Sequence, residues 1–139
     1  MPNEGNIFGF KAIIRSIYNL VVGIAASIMT LTETGGSIVL DGSEQDVYIN
    51  NAPAGLYKPE KVFIDFTNHT AGETVVVKEY YRIKSGGNLL LHKSTSYVGA
   101  VTPVLVGYDL SPNRYGVKVT IELTGGVARR YDWEVVYEI

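Results

Sequence analysis

The 139-residue sequence contains no cysteine, two histidines and only 19% charged side chains. The missing cysteines exclude disulfide staples, thiolate zinc sites, iron–sulfur clusters and cysteine nucleophiles, so stability has to come from packing or from association. Basic residues are not in excess: 12 Lys and Arg stand against 14 Asp and Glu, a net charge of −2. That balance withholds the positive footprint needed to neutralise phosphates, and nucleic acid is not expected as a partner. No glycine loop leads into a helix as a phosphate cradle would, because the Gly pairs at 35–36, 86–87 and 125–126 read as a linker and two hairpins. His69 in a turn and His92 on a predicted strand share no ligand spacing, and the acidic turn of Asp41, Glu44 and Asp46 lacks the calcium-loop pattern. Neither a metal, a cofactor nor a catalytic residue is therefore expected. What is abundant is apolar and aromatic: 46% hydrophobic residues, ten Tyr and fifteen Gly, a β-rich composition with little charge for a free monomer.

The shortage of charge is local. From Ser16 to Thr32 the chain runs seventeen residues without a formal charge. Within and before that run, Ile7, Phe10, Ile14, Ile17, Val21, Ile24, Ile28 and Leu31 recur at alternating spacings of three and four. This is a heptad seam, with isoleucine at both a and d positions, a pattern that favours trimers or larger bundles. Ile13, Leu20 and Val22 widen the stripe, so a helix over residues 7–32 needs cover on more than one side. Two other readings compete. As a membrane span the run sits at the short limit, and Asn19, Ser27 and Thr30 weaken it. As a secretory leader it offers only a short Met-Pro-Asn-Glu-Gly lead, and cleavage is not expected.

From Ser37 onward the period becomes two, the mark of strands. Val117, Val119, Ile121 and Leu123 share one face, as do Tyr131, Trp133, Val135, Tyr137 and Ile139, with Thr124-Gly-Gly-Val predicted as a hairpin between them. Earlier strands are expected at 37–40, 45–50, 61–67, 73–84, 88–97 and 103–109, separated by turns such as Ser85-Gly-Gly-Asn. The expected architecture is mainly β: an antiparallel sandwich of about eight strands, jelly-roll or immunoglobulin-like, at 37–139. A hydrophobic helix and a Gly-Gly linker occupy 1–36 before it.

Glu79 shares the phase of Val75, Val77, Tyr81 and Ile83, which points it into the core. A β-bulge near Lys78-Glu-Tyr-Tyr is the expected escape, turning it outward; if buried, it needs Arg82, Arg129 or Arg130. Tyr80 and Tyr81 face opposite sides of a strand, which makes them candidate interface or ligand aromatics.

The Ser85-Gly-Gly-Asn turn, the Ser111-Pro-Asn-Arg-Tyr-Gly-Val-Lys-Val-Thr strand entry and the closing Arg130-Tyr-Asp-Trp-Glu-Val resemble small all-β virion structural proteins of archaeal viruses and phages, over residues 40–139. The resemblance implies a structural role in a capsid, spike or tail and carries over no catalytic residue. The expected function is therefore a non-enzymatic, homo-oligomeric subunit of a viral particle or extracellular filament. It would assemble through the helix, with other virion proteins or membrane lipid as further partners. The alternative is a membrane-tethered carbohydrate- or surface-binding module.

Overall fold

The computed structural model describes residues 9–19, 30–51, 53 and 55–138. The chain divides into two units, Met1–Thr30 and Leu31–Ile139, each described by itself. In the first, residues 9–19 form a helix, α1. Phe10, Ile14 and Ile17 of the seam lie on it, while Ile7, Val21, Ile24 and Ile28 lie outside the described residues. No helix among the described residues is long and apolar enough to cross a membrane.

The second unit is built of eight strands: β1 (Leu31–Val39), β2 (Glu44–Asn50), β3 (Lys58–Asp65), β4 (Thr74–Tyr81), β5 (Leu90–Val98), β6 (Leu105–Asp109), β7 (Val117–Gly125) and β8 (Arg130–Glu138). They form two antiparallel sheets, A in the order β1-β8-β3-β6 and B in the order β2-β7-β4-β5. Pairing first with last, second with second-last and so inward, with every sequence neighbour but the central β4–β5 hairpin sent to opposite sheets, is jelly-roll topology, which decides between the two sandwiches the strand count allowed.

The alternating residues meet between the sheets. Val62, Val75, Val117, Val119, Ile121 and Val135 are fully buried there, each stabilising by about 1.5–3 kcal/mol relative to exposure. Phe66, Tyr131 and Tyr97 add an aromatic cluster with ring centroids 4.7–5.3 Å apart.

Three expectations are corrected. Leu31 is the first residue of β1, not the last seam residue of a helix. Gly35-Gly36 is the middle of that strand, not a linker, because opposite it lies Trp133, whose ring comes within 3.2–3.4 Å of where a Gly36 Cβ would stand. Gly36 thus lets β1 lie against a large side chain, and Gly35 against the Trp133 backbone carbonyl. Finally, Thr124-Gly-Gly-Val is no hairpin: β7 ends in sheet B and β8 begins in sheet A, so the turn crosses between layers. Ser85-Gly-Gly-Asn does join two paired strands, β4 and β5.

Candidate functional site

The described helix is the first candidate surface. Its spacing of 10, 14 and 18 on one stripe and 11 and 15 beside it places Phe10, Lys11, Ile14, Arg15 and Tyr18 around a common depression. Phe10, Ile13, Ile14, Ile17 and Tyr18 are between 51% and 67% exposed, so this element leaves its large apolar side chains uncovered.

Glu79 is the second. The ladder does shift register between Glu79 and Tyr80, but the extra residue is His92 on β5, so the alternation of β4 is undisturbed and Glu79 is not turned outward. The carboxylate is 1% exposed and faces the core. Its partners are none of the three arginines named from sequence. Ser111 N–H donates to Oε1 at 2.9 Å, and Lys93, directly across the ladder, brings Nζ to 3.1 Å from Oε2. That approach is off the line of a hydrogen bond, so Oε2 is held by charge. Arg82 is used on Asn51 and the Tyr115 carbonyl, Arg129 on buried Glu73, and Arg130 on Asp132 and Ser37. The Thr70 hydroxyl and amide, helped by Arg129, hold the Glu73 carboxyl down at about 2 against the effect of burial. Tyr108 keeps a buried hydroxyl without a partner among the described residues, and burial above all raises its pKa.

Ser111 Oγ lies 3.3 Å from His92 Nδ1, and Glu79 Oε2 lies 3.6 Å from the same atom. A serine–histidine–carboxylate relay needs the serine on one ring nitrogen and the acid on the other. Here both converge on Nδ1, so the imidazole cannot take the serine proton while the acid orients its opposite edge. The three residues form a structural knot that ties β4, β5 and the loop after β6.

Tyr80 and Tyr81 do face opposite ways. On the outside of sheet B, the Tyr80 hydroxyl donates to Glu44 Oε1 at 2.5 Å, and Lys118 sits 4.9 Å from its ring centroid. Lys78 bridges Glu44 and Glu122 at 2.7 Å each, and Thr120, fully buried, donates to Glu44 at 2.7 Å. Burial works against the Glu44 carboxylate, but the hydrogen bonds from Lys78, Tyr80 and Thr120 outweigh it and leave its pKa at about 2. The Tyr80 ring and hydroxyl are both engaged within the fold, an arrangement unlike an open sugar platform. Tyr81 is half-buried, its ring 6.1 Å from that of His92.

His69 is a core residue: Nδ1 shares a 2.8 Å hydrogen bond with the Tyr131 hydroxyl, and the ring meets Phe66 edge-on. Among the described residues no group of three or more His, Asp or Glu is placed to hold a metal ion.

No protein-family description matches the chain, and no curated protein matches it. Among solved structures, it is similar to that of the disulfide-linked pili formed by Bacillus endospore appendages, with a TM-score of 0.47 and 16% identity over 81% of this chain and 89% of that one. An infectious bursal disease virus subviral particle gives a TM-score of 0.43 at 13% identity, and the Gt strain of that virus 0.43 at 12%. In both cases 81% of this chain aligns with 33% of the viral chain.

Proposed function

We propose that this chain is a non-enzymatic structural subunit of a viral particle or extracellular filament, self-assembling through its N-terminal segment with the jelly roll displayed. The observation that carries the reading is the uncovered apolar face of α1, where Phe10, Ile14 and Ile17 continue the heptad seam. Five large apolar side chains on eleven helical residues make a patch that water disfavours, by about 1.5–3 kcal/mol for each that a neighbouring copy would bury. Symmetric repetition supplies that cover without any further partner. The approach of Ser111 and Glu79 to the same nitrogen of His92, which leaves no relay across the ring, supports the non-enzymatic part of the reading. Replacing Ile17 and Ile24 with Asp in the full chain is expected to lower the mass seen by sedimentation from that of an oligomer to that of a monomer, with the β-sheet circular dichroism unchanged. An unchanged mass after this substitution would remove the seam as the interface.

A further inference from the structure

The outer face of sheet A is unusual for the solvated side of a two-layer sandwich. Phe63 lies across Gly107, where a Cβ would stand 2.8 Å from the ring, so the aromatic rests flat on the neighbouring strand. Beside it Leu105 is 56% exposed. Together with Asp65, Asp132 and Glu134 they line a depression of about 200 Å³. Asp132 is satisfied by Arg130 at 3.0 Å and by Ser37. Asp65 and Glu134 have no cation within ion-pair distance among the described residues. Instead, Glu33 on the neighbouring strand β1 pushes the Glu134 carboxyl above the ordinary range.

The helix has the complementary inventory. Lys11 and Arg15 have no ion-pair partner among the described residues, and they flank Phe10, Ile14 and Tyr18. Resting on the assembly reading above, we propose that the outer face of sheet A receives the α1 helix of a second copy of this chain. Lys11 and Arg15 would meet Glu134 and Asp65, and Ile14 and Phe10 would fill the depression beside Phe63 and Leu105.

The dimensions agree. An eleven-residue helix is about 16 Å long, and four strands at their usual spacing make a sheet about 14 Å across. One helical turn separates Lys11 from Arg15 by about 6 Å along the axis. Glu134 stands opposite Phe63, so Asp65, two residues along β3, is its diagonal neighbour at about 7 Å. Two cations and two carboxylates are thus presented at matching separations, each pair beside exposed apolar surface.

Charge reversal in the full chain tests the pairing by sedimentation equilibrium at low salt. Lys11→Glu alone and Glu134→Lys alone are each expected to weaken assembly about tenfold, since each sets like charges against one another. The double variant, which restores opposite charges, is expected to return within about threefold of wild type, with the weakening fading as salt rises. Single variants that assemble like wild type would overturn the docking site while leaving self-assembly through the helix standing. Weakening without recovery in the double variant would also overturn it, because it would mean the two residues act separately. A wild-type chain that stays monomeric at every concentration would overturn the assembly reading itself, and this site with it.

Discussion

A carboxylate at 1% exposure inside a β-sandwich core is an expensive group, and Glu79 is kept there by a backbone donor as much as by a charge. Lys93 is 45% exposed at its side chain and can return to water, whereas the Ser111 amide is fixed by the chain and cannot. The two substitutions Glu79→Gln and Glu79→Ala should therefore separate. Gln retains an acceptor for Ser111 and is expected to cost less than about 1.5 kcal/mol. Ala strands the amide and opens a small cavity, at about 2–3 kcal/mol. Urea midpoints at constant slope read the difference, and equal costs would show that the Ser111 bond is not what holds the site. The alternation of β4 gave Glu79 its inward phase, but the outward escape expected from sequence does not occur, because the extra residue at the register shift lies in β5. Its partner was not legible, because Lys93 is fourteen residues away and becomes its neighbour only through the β4–β5 register.

The element that most shapes the fold is the connection from β7 to β8. Gly126 has φ +93° there, and a Cβ would stand 2.6 Å from the Gly72 carbonyl and 2.8 Å from Glu73 Cα. Gly42 has nearly the same φ, +90°, with open space around it. Comparing Gly126→Ala with Gly42→Ala thus isolates the close approach from the backbone conformation. We expect about 1 kcal/mol for Gly42→Ala and about 2–3 kcal/mol for Gly126→Ala, measured by thermal unfolding. Similar melting temperatures for the two variants would refute the tight crossing. Strands β2 to β8 lie close to where alternation and turn residues predicted them, since both signals are local, whereas β1 begins at Leu31, well before the expected 37–40. The role of Gly125-Gly126 was not, because a glycine turn serves a hairpin and a crossing equally well, and the choice depends on which sheet the next strand joins. Gly35-Gly36 fails for a related reason: glycine in a strand reads as a break until the large residue across the ladder, here Trp133, is known.

For the whole molecule, the jelly roll from Leu31 onward holds its own core of Val62, Val75, Ile121, Tyr131 and Val135. A chain starting at Leu31 is accordingly expected to unfold in one cooperative transition and to sediment as a monomer, whereas on the proposed reading the full chain sediments as an oligomer. Scattering or non-cooperative unfolding of the shortened protein would show that the N-terminal segment is part of the fold rather than an addition to it. Residue order by itself determined the β class, the number of strands, the inward phase of Glu79 and the apolar heptad stripe, because periods of two and three and a half are properties of neighbouring residues. Only the tertiary structure decided the jelly-roll strand order, the Lys93 and Ser111 partners of Glu79, and the patch of Phe63 and Leu105 between Asp65 and Glu134. Each of these joins residues far apart in sequence, through backbone pairing that no local pattern encodes.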